Sequence, residues 1–402
     1  MLKYKIIRDI GKLFIQNQKT RRKITFFILV KEHSFILPKH IYNYFYKTRF
    51  LKNKPFDPFK KYKKINFNCP LFIPIIKSLY DQNLDDEKSQ TPQAYFKWGG
   101  KFSLNEGKHK KNMILGEDSF IRSIATSADA NASEQEKESV SCVLDDLNYH
   151  WNCFYPNRLE IKLNSNKKLS KEQLAKAKKA IKKIKENHIT KYNFQPIYTP
   201  EIGRKGVKKV LVIDQSYKDQ AIKWANGSTK LFEKMLNCAV KENPDADIII
   251  KVHPDAFVKG PRTGYYNLKN TVEKYKDKNI FLFSDGVNPI SILNYVDKVY
   301  VMSSGMGFEA LMCGKETVVF GCPFYAGWGI SDDRNPILKT QKLKNRRNKK
   351  RTLEELFYFS YIDYSIYINP DKKQICDIEK AIDWILKNRK KYFKTNEVKN
   401  VY

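Results

Sequence analysis

The chain has 402 residues, 42% of them hydrophobic, which is enough for the cores of two ordinary domains and excludes global disorder. Its formal net charge at pH 7 is +32, which indicates an anionic partner or an anionic location. The cations are unevenly placed: residues 1–70 hold 18 Lys and Arg against 3 Asp and Glu, and Gln341–Arg351 reads QKLKNRRNKKR.

These basic stretches suit nucleic acid, an anionic membrane surface or an acidic substrate. The sequence contains no zinc-finger spacing and no RNA-binding signature, so nucleic acid is the weaker interpretation. Aromatic residues lie among the cations of Ile41–Phe59, as in an interfacial membrane segment. A solvated basic extension explains the same residues equally well, and both hypotheses stay open.

The sequence predicts a cytoplasmic chain with reduced thiols. No stretch approaches the roughly 20 apolar residues of a spanning helix, and Ile24–Val30 is only a short apolar run. The amino terminus lacks a signal peptide pattern. The seven cysteines form no CxxC pair and no metal-ligand spacing. We interpret five of them as small core residues, namely Cys142, Cys153, Cys238, Cys313 and Cys322.

The first half of the chain divides into a basic extension over 1–69 and an α/β domain over 70–205. Ser170 and Gln173 have the spacing of a capping box, which marks the start of a helix. The predicted elements of this half are a strand at Tyr95–Gly100 that enters a glycine turn, a strand at Met113–Asp118, a polar loop at Ser127–Glu138 and a helix at Ser170–Asn187.

Strands and helices alternate clearly over 206–370, which predicts a parallel, doubly wound sheet and a second domain. The predicted strands are Val210–Ile213, Ile248–Val252, Ile280–Phe283, Val299–Met302 and Lys315–Gly321. The predicted helices are Ser228–Glu242, Asn270–Tyr275, Ile290–Tyr295 and the segment after Ser303 that Gly314 ends. Thr352–Ile362 and Asp377–Asn388 are also predicted helical, the latter within a C-terminal helix and tail over 371–402.

The segment VYVMSSGMGFEALMCGKETVVFGCPFYAGWG, from Val299 to Gly329, is the most informative in the chain. Ser303 and Ser304 end its first strand and open a helix, whose free N–H groups suit an anion. In open α/β sheets, ligands bind at the carboxyl ends of the strands. We therefore predict an anion site at this strand end.

Polar residues also follow two other strands of the same half, namely Asp214-Gln215 and His253-Pro254. Because parallel strands end at one edge of a sheet, these groups and the serine pair are expected to converge on a nucleotide phosphate. A hydrogen-bonded structural role for His253 remains the alternative. The sequence has no GxGxxG after a strand, no Walker motif and no GxSxG elbow, which disfavours nicotinamide, P-loop and serine-hydrolase chemistry.

At these residues the chain resembles the capsule-biosynthesis retaining β-Kdo transferases, the KpsC-like family. The matches occur in order over about residues 95–370 and are highly specific as a set. They are Trp98-Gly99, Glu117–Ser123 (EDSFIRS), Lys191–Asn193 (KYN), Ile213–Gln215 (IDQ), Lys251–Asp255 (KVHPD), Ser304–Leu311 (SGMGFEAL) and Pro323–Gly329 (PFYAGWG).

The resemblance implies a GT-B-like fold of two Rossmann-like domains with a cleft between them. It implies transfer of Kdo from CMP-Kdo, with retention, onto a (lyso)phosphatidylglycerol-linked Kdo acceptor or related glycan of the capsular linker. It implies no cofactor and no metal, a peripheral position on the inner face of the cytoplasmic membrane, and capsule biosynthesis partner enzymes.

The resemblance also assigns roles to residues. Retention invites a double displacement, in which Asp219 is the implied nucleophile and Glu117 our candidate acid/base. A helix cap is the structural alternative for Asp219. The implied donor-binding residues are His253, Pro254, Ser303, Ser304, Lys251, Gln215 and Glu309, and Arg122 and Asp118 are the implied contacts to sugar or phosphate.

Two departures from the family pattern qualify these expectations. Ser119 stands where the family has glycine, so the backbone there would differ if a positive φ were needed. Many relatives carry two such modules and this chain carries one, which predicts one linkage type and a partner enzyme. A transferase for another CMP-activated sugar and a non-catalytic scaffold for capsule assembly or export remain alternatives.

Overall fold

The computed structural model describes residues 65–67, 94–99, 113–126, 129, 132–217, 219–252, 264–266, 274–275 and 278–396. The basic extension, His253, Pro254 and most of the predicted helix Asn270–Tyr275 lie outside this part of the chain. The described residues all belong to the larger of two compact units, Pro55–Tyr402.

Twelve strands in the described residues form two six-stranded sheets. The strands of one sheet are β1 Ile65–Phe67, β2 Ala94–Trp98, β3 Met113–Asp118, β4 Ser141–Asp145, β11 Ser365–Asn369 and β12 Gln374–Cys376. The strands of the other are β5 Lys209–Ile213, β6 Asp247–Lys251, β7 Ile280–Phe283, β8 Lys298–Val301, β9 Glu316–Val319 and β10 Asp332–Asp333.

The sheet of β5 to β10 is parallel throughout, with the spatial order β10-β9-β8-β5-β6-β7. Counted along the chain this is the order 3-2-1-4-5-6 of doubly wound nucleotide-binding folds, in which the strand order reverses between the first and fourth strands. Here β5 and β8 are those strands, and Leu211 lies opposite Val299. The predicted parallel sheet is confirmed, and its reversal point lies between Gln215 and Ser303.

The other sheet is mixed. Strands β1, β2 and β3 are parallel, whereas β4, β11 and β12 join antiparallel in the order β3-β4-β11-β12. The chain therefore returns to this sheet after residue 364, because Ser365 pairs with Val143. The domain boundaries at 69, 205 and 370 stay predictions.

Helices connect these strands, and several begin at side-chain caps. Ser170 closes the predicted capping box with Gln173, and Ser228 accepts from the Leu231 N–H. The α-helices are α1 Glu134–Lys137, α2 Arg158–Leu163, α3 Lys171–Glu186, α4 Gln220–Trp224, α5 Thr229–Glu242, α6 Pro289–Tyr295, α7 Met306–Met312, α8 Gln341–Lys344, α9 Leu353–Phe357 and α10 Ile378–Asn396. A 3-10 turn at Pro336–Lys339 precedes α8, and a π-helix at Tyr358–Ile362 continues α9.

Both faces of the parallel sheet are buried, which explains why its strands read as continuous apolar runs. Leu211 and Val299 belong to a core that also contains Val143 of the mixed sheet. Val212 and Tyr300 point to the opposite face and pack with residues of α5 such as Phe232. One continuous apolar core thus joins the two sheets on the first of these faces.

Most predicted elements of the described residues are confirmed, and the strands at 113–118 and 280–283 are confirmed with the same bounds. The predicted loop Ser127–Glu138 is wrong in its last part, because Ser133 caps the short helix α1 through a capping box with Glu136. Gly314 ends α7 as predicted, with a left-handed φ of 75°.

Candidate active site

Two groups of sequence-predicted residues meet at the carboxyl edge of the parallel sheet, where the strand order reverses. The Gln215 Oε1 accepts a hydrogen bond of 2.9 Å from the Ser303 backbone N–H, and its Nε2 lies 3.3 Å from the Ser303 Oγ. Gln215 follows β5 and is buried, whereas Ser303 follows β8 and is half-buried. The predicted convergence of these two strand ends is therefore present.

Tyr325, a buried residue of the aromatic-glycine loop, holds the turn Ser303-Ser304 that follows β8, which we call the serine turn. The Tyr325 hydroxyl donates to the Ser304 carbonyl at 2.7 Å, and the Ser304 Oγ lies 3.3 Å from the Met306 N–H. A side chain at Gly307 would collide with the Tyr325 ring. Because α7 has only seven residues, we ascribe the shape of this turn to these contacts rather than to the dipole of the helix.

The aromatic-glycine loop Pro323–Gly329 owes its position to a residue of the basic block Gln341–Arg351. The buried Arg347 guanidinium donates to the carbonyls of Pro323 at 2.7 Å and Ala326 at 2.6 Å, and pairs with Glu160 at 3.0 Å. Its Cζ atom also lies 5.8 Å from the centroid of the Trp328 ring. The block is therefore not a uniform exposed basic patch, since Arg347 is an internal structural cation.

Asp214 precedes Gln215, and its carboxylate binds backbone N–H groups of the chain outside the sheet. Its Oδ1 accepts from the backbone N–H groups of Gln215 at 2.8 Å and Tyr265 at 2.9 Å. Burial raises the pKa of Asp214 to about 6, although these backbone donors oppose the rise. We expect Asp214 to fix the loop that follows β5 rather than to contact a ligand.

Asp219, the implied nucleophile, is exposed and lies at the start of α4. Its Oδ1 accepts from the Ala221 N–H at 2.9 Å, which is the geometry of a helix cap. The cap and a catalytic role are compatible, because the second carboxylate oxygen is not needed for the cap. In the part of the chain that the structure describes, no hydrogen bond or ion pair joins the Asp219 side chain to Glu117 or Ser303, so its catalytic role stays a prediction.

Lys251 is the last residue of β6 and is 7% exposed. Burial lowers the pKa of its ammonium group, while Asp285 opposes this shift. The Nζ atom lies 5.9 Å from the centroid of the Phe283 ring. Lys251 thus has its cation at the same sheet edge as Gln215, two residues before His253 in sequence.

Glu117, the candidate acid/base, ends strand β3 in the mixed sheet. Its Oε2 accepts from the Trp151 indole at 3.3 Å and its Oε1 from the Asp118 N–H at 3.0 Å. Burial raises the pKa of Glu117, and the nearby Lys191 ammonium works against the rise. A carboxyl whose pKa is raised toward neutrality can both accept and return a proton.

Asp118 and Arg122 were expected to contact sugar or phosphate, and the structure pairs them with each other. The Arg122 Nε lies 2.9 Å from the Asp118 Oδ1, and its Nη1 donates to the Ser123 Oγ at 2.8 Å. Asp118 also faces Lys191, whose Nζ lies 3.7 Å from its Oδ2. Arg122 is therefore engaged with protein groups through both of these nitrogens.

Lys191 connects this cluster to the parallel half of the molecule. Its carbonyl accepts from the Arg122 N–H at 2.9 Å, while its own backbone hydrogen-bonds to the Glu309 carboxyl group on α7. Burial lowers the pKa of the Lys191 ammonium, but Asp118, Tyr192 and Glu117 together outweigh burial and raise it. Lys191 belongs to the KYN match of the sequence analysis, which gave it no role. Its position beside two carboxylates could not be predicted from the sequence.

Glu309 was expected among the donor-binding residues, and it lies inside the protein at the Lys191 backbone. Burial raises the pKa of Glu309 to about 8, although the Lys191 backbone opposes this. His150 is a half-buried titratable group near Lys191 that the sequence did not single out. Burial lowers its pKa to about 3, and its ring packs edge-on to Phe120 at 5.2 Å.

Ser119, which replaces the family's glycine, does not strain the backbone. The non-glycine residues with positive φ in the described part of the chain are His188, Asn226 and Lys373. The Ser119 Oγ instead forms a hydrogen bond of 2.6 Å with the Ser365 Oγ of β11. In the described residues, no group of three or more His, Cys, Asp or Glu side chains could hold a metal ion.

Two regions with different chemistry are thus present. The edge of the parallel sheet offers neutral hydrogen-bonding groups at Gln215, Ser303 and Ser304, together with Lys251. The end of β3 offers a carboxyl of raised pKa at Glu117, with an ammonium group beside it. His253 and Pro254 lie outside the described residues, so their predicted part in the first region is open.

Comparison with known proteins is consistent with this arrangement. Residues 117–367 match the family described as capsule polysaccharide biosynthesis protein. The capsule polysaccharide modification protein LipA of Neisseria meningitidis serogroup A / serotype 4A is 33% identical over 327 residues, which is 79% of this chain and 45% of LipA. The lipopolysaccharide-processing protein LpsZ of Rhizobium meliloti is 30% identical over 73% of this chain and 63% of LpsZ.

Two solved structures have the same fold. One described as Thermosulfurimonas dismutans KpsC, β-Kdo 2,4 transferase, superimposes with a TM-score of 0.69 at 29% identity, over 81% of this chain and 98% of that one. The KpsC β-Kdo 2,7 transferase of the same organism gives 0.59 at 24% identity and shows the fold alone. Because the family match spans more than half of its residues, the chain belongs to the capsule polysaccharide biosynthesis family and has a KpsC-like α/β fold.

Proposed function

We propose that the chain is a retaining β-Kdo glycosyltransferase that moves Kdo from CMP-Kdo onto a Kdo-bearing lipid or related glycan of the capsular linker. The observation that carries the proposal is the Gln215–Ser303 contact at the strand-order reversal, because doubly wound sheets bind nucleotides there. The 29% identical KpsC β-Kdo 2,4 transferase supports the choice of sugar.

In the proposed mechanism the Asp219 carboxylate attacks the anomeric carbon of Kdo, and the bond to the CMP phosphate oxygen breaks with its electron pair on CMP. Glu117 then takes the proton of the acceptor hydroxyl, whose oxygen displaces Asp219 from the same carbon. Two inversions give net retention. The exposed position of Asp219 supports the first step, and the raised pKa of Glu117 supports the second.

The donor would lie along the carboxyl edge of the parallel sheet. Ser303, Ser304 and Gln215 supply hydrogen bonds to CMP, with His253 and Pro254 as further proposed contacts. Lys251 supplies a cation for the phosphate or the Kdo carboxylate, and Arg122 and Asp118 keep Glu117 and Lys191 in place. We propose a GT-B arrangement, in which the acceptor approaches from the mixed-sheet half.

Mixing the purified protein with CMP-Kdo or CMP-sialic acid and a Kdo-bearing acceptor tests the donor class. We expect CMP release with CMP-Kdo and much slower release with CMP-sialic acid. Faster CMP release with CMP-sialic acid would show that the donor is another CMP-activated sugar. No CMP release with either donor would favour a non-catalytic scaffold that only binds glycan. Unchanged activity in EDTA is expected, since the proposal needs no metal.

We also propose peripheral attachment to the inner face of the cytoplasmic membrane and cooperation with other capsule enzymes, as the basic composition and the lipid-linked acceptor suggest. The described residues include no helix with the length and apolar character required to cross a bilayer. Deleting residues 1–60 should weaken binding to anionic liposomes if the extension contributes, and added salt should have the same effect. Unchanged binding to the liposomes would show that the extension does not contribute to membrane attachment.

A further inference from the structure

Two cysteines that are far apart in the sequence lie together inside the protein. Cys153 is in the loop that follows β4 of the mixed sheet, and Cys322 follows β9 of the parallel sheet. Both are free thiols, both are 1% exposed, and they share one small apolar cluster with Leu343. Their side chains also form a hydrogen bond with each other. A pair of thiols thus connects segments of the two sheets.

The backbone holds these two cysteines side by side at the end of α4. The Cys153 N–H donates to the Trp224 carbonyl at 2.9 Å, and the Cys322 N–H donates at 2.7 Å to the carbonyl of the next residue, Ala225. Arg346 also donates to the Cys153 carbonyl. The two cysteines are therefore anchored to adjacent peptide groups. Such proximity is what a disulfide requires, since it joins Cα atoms that are usually about 4.4–6.8 Å apart.

The two thiols differ in acidity. The hydrogen bond from Cys322 lowers the pKa of the Cys153 thiol, burial opposes this, and the guanidinium groups of Arg347 and Arg346 lower it further. Burial and the hydrogen bond with Cys153 raise the pKa of Cys322 well above its ordinary value. Of the two, Cys153 is the one that becomes a thiolate, which is the nucleophilic form of cysteine, and Cys322 keeps its proton.

Cys142 shows how an ordinary buried thiol of this protein differs. It lies in β4 and is 1% exposed, as Cys153 and Cys322 are. Burial and the Asp118 carboxylate raise the pKa of Cys142 to about 12, so its thiolate is disfavoured. Cys142 has the properties of a small core residue, which is the role that the sequence analysis gave to all three. The contact between Cys153 and Cys322 sets that pair apart.

We propose that Cys153 and Cys322 form an oxidation site, at which a hydroperoxide converts the two thiols into a disulfide. The Cys153 thiolate attacks one oxygen of the peroxide, the O–O bond breaks, and the second oxygen takes a proton and leaves as water, so Cys153 becomes a sulfenic acid. The Cys322 sulfur then attacks the Cys153 sulfur, the S–O bond breaks, and a second water leaves with the Cys322 proton. The two sulfurs lose two electrons, which hydrogen peroxide gains.

The position of Cys322 gives this bond a structural consequence. Cys322 directly precedes the aromatic-glycine loop Pro323–Gly329, in which Tyr325 holds the serine turn. Bond formation brings the two sulfurs from contact to about 2.05 Å, so it draws the start of this loop toward the loop after β4 and fixes it there. The oxidation site does not depend on the proposed transfer chemistry and can fail separately from it.

The test exposes the reduced full-length protein to hydrogen peroxide, alkylates the remaining thiols in urea and maps the peptides by mass spectrometry without reduction. We expect a linked pair of peptides that carries Cys153 and Cys322, at about 2 Da less than the two reduced peptides together, and dithiothreitol should separate them. Cys142 should be recovered as an alkylated thiol, which makes it the control for burial. Peroxide treatment of the protein unfolded in urea should not give this specific link, because the folded contact is then absent.

Two variants test the order of the steps. In Cys322→Ser the serine can still donate a hydrogen bond to Cys153, so Cys153 should stop at the sulfenic acid, about 16 Da heavier, which dimedone traps. In Cys153→Ser, Cys322 should remain an unmodified thiol, because burial keeps it protonated. Thermal melting shows whether each variant is folded, and the peptide map of the unmutated protein needs neither variant.

Recovery of both Cys153 and Cys322 as alkylated thiols from the peroxide-treated folded protein would overturn the proposal. A link between them that forms only in urea would overturn it as well, since the link would then owe nothing to the folded contact. Equal oxidation of Cys142 would also count against it, because the pair would then react no differently from other buried cysteines.

Discussion

The carboxyl edge of the parallel sheet and the end of strand β3 carry different kinds of chemistry. The sheet edge presents neutral hydrogen-bonding groups that fix one another, as when Gln215 binds the Ser303 backbone, and Lys251 adds one cation. The end of β3 is built from ionisable groups, with the Glu117 carboxyl held beside Asp118 and Lys191. A preorganised edge of hydrogen-bonding groups with a cation suits recognition of a nucleotide, whereas a buried carboxyl beside an ammonium group suits proton transfer. The division suggests that donor binding and acceptor activation are separable by mutation.

The largest expected effect comes from Asp219, the one implied catalytic group on the sheet-edge side. Asp219→Asn should lower the rate of transfer by about a thousandfold or more, because an amide cannot form the covalent intermediate. Asparagine caps helices as well as aspartate does, so folding and CMP binding should stay normal. Rapid-quench kinetics and CMP calorimetry measure the two properties, with the exposed Asp245→Asn as the matched control. Near-normal turnover would place the nucleophile elsewhere.

Glu309 connects the two regions and should affect stability with a definite pH dependence. Its pKa is raised to about 8 from 4.5 in the folded protein. The folded state therefore keeps a proton that the unfolded state loses, and stability falls as the pH rises from 4.5 toward about 8. In Glu309→Gln this loss disappears, so the variant gains on the order of 5 kcal/mol relative to wild type across that range.

Urea unfolding at both ends of this pH range measures the effect of Glu309→Gln. Wild type and variant share the other buried carboxyls, such as Asp145, whose pKa is raised to about 7 by burial, so the difference between them isolates Glu309. The exposed Glu233→Gln serves as the control. A constant difference between variant and wild type at all pH values would contradict the account.

Glu117→Gln should lower the rate of transfer by about a hundredfold, the usual contribution of a positioned acid/base. Glutamine can still accept from the Trp151 indole, so the local structure should persist. CMP affinity should not change, which separates this region from the sheet edge. Pre-steady-state rates measured across pH give the result, and Glu134→Gln, whose carboxylate is 93% exposed, is the control. A normal rate in Glu117→Gln would remove the proton-transfer role.

Gln215→Ala should have the smallest effect and should change donor binding rather than chemistry. Loss of the contacts to Ser303 frees the serine turn, so the KM for the donor should rise about tenfold with a smaller change in kcat. The control is Gln220→Ala, at an exposed position on the neighbouring helix α4. A fall in kcat without any change in KM would show that the sheet edge is not confined to donor binding and that the two regions are not functionally separate.

The parallel sheet and its polar edge could be predicted because both follow from local patterns. Each strand of this half is a short apolar run between helical segments, and parallel strands end at a common edge. Asp214-Gln215 and Ser303-Ser304 therefore converge as a consequence of chain direction alone. No long-range pairing had to be guessed for this part of the site.

The mixed sheet and the Glu117 region depend on long-range contacts that single-sequence patterns do not reveal. Strand β4 was not predicted, and it pairs with Ser365, more than 200 residues later in the chain. Lys191 meets Glu117 and Glu309 only because the two sheets share a core.

The basic block Gln341–Arg351 shows the same limit. From the sequence its arginines would be expected to lie in solvent. Arg347 is nevertheless buried, because its guanidinium pairs with Glu160 and donates to two loop carbonyls.

The most direct test of the central claim is the stoichiometry of transfer with the purified full-length protein. CMP-Kdo and a Kdo-terminated acceptor are incubated with the protein, and CMP and the acceptor mass are followed together. The account predicts that each CMP released is matched by one Kdo added to an acceptor, and that Asp219→Asn abolishes both. Release of CMP no faster than in the absence of protein, with no change in acceptor mass, would contradict it.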